Sequence, residues 1–115
     1  MKRIYLAIPY SGMEESAYEQ ATMITAEFMK NGLNVFSPIT HSHPLTKYDL
    51  PNDWEFWEKI DKTFIDWCDE VYVVIPLEGM AKVSKSTGVQ AEIKYANELG
   101  KPVKYIEFHL KIIGA

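Results

Sequence analysis

Apolar positions in this chain fall by turns into short continuous runs and longer stretches of helical spacing. Ile4-Tyr5-Leu6-Ala7-Ile8 is an apolar run ended by Pro9, the pattern of a buried strand. From Met13 to Lys30, Ala17, Ala21, Ile24 and Phe28 recur at helical spacing, and Asn31-Gly32 supplies a stop. Leu33-Asn34-Val35-Phe36 reads as a second strand, ended by Ser37-Pro38. Residues 39–53 lie in a stretch punctuated by proline from Pro38 to Pro51, carry His41 and His43, and read as a long loop. Helical spacing resumes from Trp54 to Cys68, and the β-branched run Val71-Tyr72-Val73-Val74-Ile75, ended by Pro76, is the clearest strand. A second loop spans Glu78 to Ser86, a helix runs to the glycine stop at Gly100, and Val103-Lys104-Tyr105-Ile106 follows Pro102 as the last strand.

The order β-α-β-α-β-α-β predicts a three-layer α/β fold: a small parallel sheet of four or five strands, right-handed crossovers, helices on both faces. Residues 1–115 read as a single domain, without internal repeat or linker. In such sheets the ligand sits beyond the carboxyl ends of the strands, near the switch in strand order. Three segments leave those ends: Pro9-Tyr10-Ser11-Gly12, the His41 loop and the Gly79–Gly88 loop, which are also the richest in polar residues and glycine.

Two acids interrupt the apolar stripes. At about 100° per residue, Val89, Glu92, Ile93, Ala96 and Leu99 share one helical face while Lys94, Asn97 and Glu98 fall on the other. On the preceding helix Trp54, Trp57, Asp61, Phe64, Ile65 and Cys68 share a face, with Glu55, Lys59, Lys62 and Asp66 opposite. A carboxylate in an apolar stripe is costly unless paired or hydrogen-bonded. Two inward carboxylates on different helices suggest a shared pocket. The structural alternative is two acids near helix ends, each held by a local hydrogen bond or a lysine.

The chain has 115 residues, 47% apolar and 24% charged, ordinary values for a globular domain able to bury a core. A net charge of −4 argues against broad binding to nucleic acid polymers, though not against a single nucleotide. No apolar run approaches the ~20 residues of a membrane span, so no membrane partner is expected. Met1-Lys2-Arg3 leads into a strand rather than a signal peptide. Cys68 is the single cysteine, which excludes an intrachain disulfide and is compatible with a cytoplasmic, reducing location.

Candidate chemistry narrows from there. Neither G-x-G-x-x-G nor a P-loop sequence occurs, so dinucleotide and Walker-type sites are unsupported and no cofactor is expected. Ser84, Ser86, Thr87 and Gly88 precede a helix, whose free N–H groups favour anions; an ordinary cap by Ser86 or Thr87 explains the same residues, and the two roles can coexist. His41 and His43, with Asp49 and Asp53, lack a recognised zinc spacing, and a substrate contact or plain loop polarity suits them better than a metal. Cys68 lies on an apolar stripe and reads as a core thiol. Trp54 and Trp57 are placed either to stack on a base or sugar or to pack the core.

Ser86-Thr87-Gly88-Val89-Gln90-Ala91-Glu92, followed by Ala96-Asn97-Glu98-Leu99-Gly100-Lys101-Pro102-Val103, resembles the signature of the nucleoside 2-deoxyribosyltransferase-like superfamily, which includes deoxynucleoside 5′-monophosphate N-glycosidases. Tyr5-Leu6-Ala7-Ile8-Pro9-Tyr10-Ser11-Gly12 resembles its first strand and loop, and Asp61, eight residues before Asp69, matches its inward Asp. Ser37 to His43, with Trp54 and Trp57, looks most like a small phage and bacterial branch. The resemblance spans nearly the whole chain and implies a flavodoxin-like or Rossmann-like fold. It implies Glu92 as nucleophile at the anomeric carbon, Asp61 as a sugar ligand or proton carrier, and Tyr5 as the group orienting Glu92. It places Pro9, Tyr10, Ser11, Gly12, His43, Trp57, Ser86 and Gly88 at the substrate, a small-molecule nucleoside or nucleotide, and implies a homo-oligomer.

This sequence departs from the pattern in places. Ile8 stands where many members have glycine, the Glu78–Lys85 loop is longer and carries Lys82 and Lys85, and no arginine follows Tyr10. Lys82 or Lys85 is placed to compensate at a phosphate. The expectation is cleavage or exchange of an N-glycosidic bond, as hydrolase or transferase. The alternatives are a non-catalytic nucleotide-binding module on the same fold and a structural or interaction subunit.

Overall fold

In a computed structural model, residues 1–108 are described. Four strands, β1 (Arg3–Ala7), β2 (Asn34–Phe36), β3 (Glu70–Ile75) and β4 (Val103–Glu107), form one parallel sheet in the order β2-β1-β3-β4. The register sets Tyr5 beside Phe36 on one side and Val71 on the other. The sheet therefore grows in opposite directions from β1 and β3, and the switch in strand order lies between them.

The period of two along each strand sorts side chains onto two layers. Tyr5 and Ala7 of β1 and Val71 and Val73 of β3 point to the face covered by helices α3 (Trp54–Trp67) and α5 (Thr87–Glu98). Leu6, Ile8 and Val74 point to the opposite face, where Ala17, Ala21 and Ile24 of α1 (Glu14–Lys30) pack. The predicted three-layer α/β fold is thus the observed one.

Two stretches read as loop contain helix. Pro38–Ser42 forms α2 and His43–Tyr48 a 3-10 turn, while Met80–Lys85 forms α4. Local chemistry explains α2: Ser37 Oγ accepts from Thr40 N at 3.2 Å, and Pro38 occupies the first turn, where its missing N–H costs nothing. α4 buries one anchor, Val83. Helices this short do not complete the periodic repeat by which sequence reveals them. Leu99 is a further difference: expected inward, it caps the end of α5 and is 43% exposed.

The segment after β3 is tied to α1 by a buried amide. Gln20 donates to Glu78 Oε1 at 2.9 Å and to Ser16 Oγ at 2.8 Å, and its carbonyl accepts from Leu77 N at 3.0 Å. With its donor and acceptor both used, Gln20 fixes the chain entering α4.

Candidate active site

A cavity of about 670 Å³ opens beyond the carboxyl ends of β1, β2 and β3. That volume falls within the range of roughly 300–1,000 Å³ usual for small-molecule sites. Its walls come from the segment after β1, from α2 and the turn that follows, from the first two turns of α3, and from the junction of α4 with α5.

Glu92 and Asp61 meet at this cavity from α5 and α3. Helical spacing carries both acids inward, as their stripes predicted: Glu92 is 6% exposed and Asp61 7%. Asp61 reaches the cavity from two turns inside α3 because that helix begins at the cavity's edge, where Trp54 and Trp57 also line it. Behind them Tyr5, wholly buried on β1, donates its hydroxyl hydrogen to Glu92 Oε2. Burial raises the Tyr5 hydroxyl well above its ordinary range, and the charges of Glu92 and Asp61 add to the rise, so it stays a donor.

The two carboxyls are both pushed toward neutrality. Burial lifts Asp61 to about 7, against the opposing hydrogen bond from Tyr5. Burial, and then the Asp61 charge, lifts Glu92 to about 8, again opposed by Tyr5. Two such groups titrate as a pair that retains a shared proton near neutral pH. An ionised acid beside a protonated one is the combination that nucleophilic attack with proton donation needs.

The remaining predicted residues divide. Pro9, Tyr10, Ser11, His43, Trp57, Ser86 and Gly88 line the cavity. Gly12 does not: it sits at the exposed turn with φ +84°, its N–H donating to Glu14 Oε2 at 2.8 Å, and its role is to let the chain turn into α1. His41 and His43 diverge, His41 resting 5.7 Å from the Phe36 ring while His43 joins the Tyr10 hydroxyl at 2.7 Å. Trp57 donates its indole N–H to Pro51 O at 2.9 Å, which fixes the ring while leaving a face at the cavity. Ser86 caps α5, accepting from Val89 N at 3.1 Å. Gly88 abuts Trp54, whose ring atom would lie 3.4 Å from a Cβ added there. Lys82 and Lys85 also line the cavity, and among the described residues neither pairs with a carboxylate. Two acids at the site escaped the sequence reading: Glu14 lines the cavity, and Glu15 Oε1 lies 2.9 Å from His43 Nε2. Both sit in the first turn of α1, where acids ordinarily serve the helix dipole, so nothing in the sequence marks them out.

No group of three or more histidines, cysteines and acids is placed to hold a metal among the described residues. No described helix is long and apolar enough to cross a membrane.

The family match and the solved structures of like fold together place the chain in the nucleoside 2-deoxyribosyltransferase-like superfamily. The chain belongs to the DUF1937 family, described as a domain of unknown function, whose model matches residues 2–108. Among solved structures it is similar to a 2-deoxyribosyltransferase from Leishmania mexicana, with 16% identity and a TM-score of 0.64 over 95% of this chain and 66% of that one. It is also similar to a 2-deoxyribosyltransferase from the psychrotolerant bacterium Bacillus psychrosaccharolyticus, with 25% identity and a TM-score of 0.58 over 96% of this chain and 79% of that one. The chain thus spans just under two thirds of the Leishmania mexicana enzyme. No curated protein matches the sequence.

Proposed function

We propose that this protein cleaves or exchanges the N-glycosidic bond of a nucleoside or nucleoside 5′-monophosphate, with Glu92 as nucleophile. The observation that carries the reading is the buried Tyr5–Glu92–Asp61 cluster facing a cavity of nucleoside size. Its resemblance in fold to 2-deoxyribosyltransferases supports the same chemistry.

In this mechanism the reactive form has Glu92 as the anion and the proton on Asp61, the less populated arrangement of the pair, since Glu92 is lifted to about 8 and Asp61 to about 7. The Tyr5 hydroxyl favours that arrangement, because a donated hydrogen bond is stronger to a charged acceptor. A Glu92 carboxylate oxygen attacks C1′ of the sugar as the bond from C1′ to the base nitrogen breaks, and the departing base takes a proton from Asp61. The product is a glycosyl ester on Glu92. Water, or a second base, then attacks C1′ as Asp61 takes its proton; the ester bond from C1′ to Glu92 breaks, and both acids return to their starting forms. Trp54 and Trp57 offer ring surface to the substrate, and Lys82 and Lys85 with the first N–H groups of α5 face the position a 5′-phosphate would take. Residues 1–115 act as one domain in this reading, in the cytoplasm and as a homo-oligomer; light scattering tests the last point.

The test is release of free base from a panel of nucleosides and 5′-monophosphates, followed by chromatography, with and without an acceptor base. Release by the wild type and none by Glu92→Ala is the expected result, and the acceptor lane separates transfer from hydrolysis. No release from any substrate defeats the proposal; a nucleotide that still raised the melting temperature would then point to a binding module.

A further inference from the structure

Tyr10, His43 and Glu15 form a connected chain at the cavity wall. The Tyr10 hydroxyl lies 2.7 Å from His43 Nδ1, and His43 Nε2 lies 2.9 Å from Glu15 Oε1. The Tyr18 ring packs on the imidazole at 4.8 Å and the Tyr10 ring meets it edge-on at 5.7 Å, so two rings pack against the histidine. A carboxylate only accepts hydrogen bonds, which puts the imidazole proton on Nε2. In the neutral ring Nδ1 is then a bare lone pair, and the Tyr10 hydroxyl donates to it. With its one hydrogen committed, the Tyr10 oxygen has only lone pairs to offer a ligand.

The wall that carries this chain differs in character from the one opposite. Ile8, Pro9, Pro38 and Ile39 give it an apolar surface, whereas the ionisable Asp61, Glu92, Lys82 and Lys85 come from α3, α4 and α5, together with the Trp54 and Trp57 rings of α3. A nucleobase has apolar faces and a polar edge and matches the first wall; a sugar and its phosphate match the second. Glu14, on the base side, is another pure acceptor.

We propose that Tyr10, with its hydrogen committed through His43 to Glu15, selects bases presenting an amino N–H at this edge, of the adenine or cytosine kind, over bases presenting a carbonyl oxygen. The inference rests on the glycosidic reading above and deepens it to a substrate class. Tyr10 is the contacting residue; His43 and Glu15 are positioning residues that fix the direction of its hydrogen bond.

The experiment compares adenine with hypoxanthine and cytosine with uracil, as deoxynucleosides and 5′-monophosphates, by kcat/KM for base release. Binding of the free bases is measured alongside. The full chain is used at about pH 8. The amino member of each pair is expected to lead by about tenfold, the size of one hydrogen bond made against one refused. Tyr10→Phe should bring the ratio within about twofold. Glu15 is 83% exposed, so Glu15→Lys leaves the packing intact. An ammonium only donates, which moves the ring proton to Nδ1; Nδ1–H then donates to the Tyr10 oxygen and frees the Tyr10 hydrogen for a ligand, so the preference should disappear or reverse. A purely structural role for these residues would change all bases in parallel. Base release without amino preference, or a preference that survives Tyr10→Phe and Glu15→Lys, overturns this inference while the glycosidic reading stands. No release and no binding of any base overturns both.

Discussion

Replacing Glu92 by glutamine exposes the cost of keeping a carboxyl inside this fold. Burial, with the Asp61 charge adding and the Tyr5 hydroxyl opposing, raises Glu92 from 4.5 to about 8. In the unfolded chain the same group ionises at its ordinary value. The folded protein therefore binds this proton more tightly, so the contribution to stability is fully present below about pH 4.5 and is lost as pH rises toward 8. At about 1.4 kcal/mol per pH unit, the loss relative to the acid limit is on the order of 1 kcal/mol at pH 5, 3 at pH 7 and 4 at pH 8. Glutamine keeps the shape, does not titrate, and its carbonyl still accepts from Tyr5. Glu92→Gln should therefore be more stable than the wild type by about 2–4 kcal/mol near pH 8, the lower figure allowing for a weaker hydrogen bond to a neutral acceptor. Near pH 5 the gap should close to about 1 kcal/mol or less. Thermal melts at both pH values measure this directly. At roughly 4–8 °C per kcal/mol for a domain of this size, the gap near pH 8 is about 8–32 °C. Equal melting at pH 8, or a gap that does not change with pH, refutes the reasoning, because either result means that folding does not shift the ionisation of Glu92.

Asp61→Asn removes the charge that helps raise Glu92, so the acid limb of the kcat/KM profile for base release should move to lower pH; an unmoved limb would show that the two acids do not interact. Tyr5→Phe removes the donor that opposes the rise, and the same limb should move to higher pH while kcat falls about tenfold or more, read from initial rates. Removing Lys82 and Lys85 together as alanines should weaken 5′-monophosphates about tenfold more than the matching nucleosides, as measured by KM; equal losses would place the phosphate elsewhere. Ser86→Ala removes the cap on Val89 N and should cost about 1 kcal/mol in urea unfolding, whereas no loss would mean that water replaces the cap.

The layers of this fold were legible because each depends on a local repeat. Ile4–Ile8 reads as one continuous apolar run, the mark of a strand buried on both faces, and the strand's period of two then puts Tyr5 and Ala7 on one face and Leu6 and Ile8 on the other. The inward placement of Glu92 and Asp61 was equally local, since 3.6 residues per turn fixes which side chains share a stripe. What lay on a helix of five or six residues was not legible. α2 and α4 are shorter than the window in which a period shows, and α4 is set by what it docks against, with Gln20 of α1 tying down the chain that enters it.

The sequence by itself determined the α/β class, the parallel sheet, and the two acids that turn inward, because strand and helix periods act over a few residues. The two stripes suggested a shared pocket and the resemblance implied that Tyr5 orients Glu92; only the tertiary structure decided how these groups meet at one cavity, with Tyr5 donating from behind, and that Glu15 orients His43 toward Tyr10. Those contacts join residues far apart in the chain, 87 positions in the case of Tyr5 and Glu92, and no local repeat carries that information. They follow from the order of strands in the sheet. Placing β1 and β3 side by side, each with its crossover turning away, leaves a crevice at their carboxyl ends, and the ends of several otherwise unrelated segments meet there.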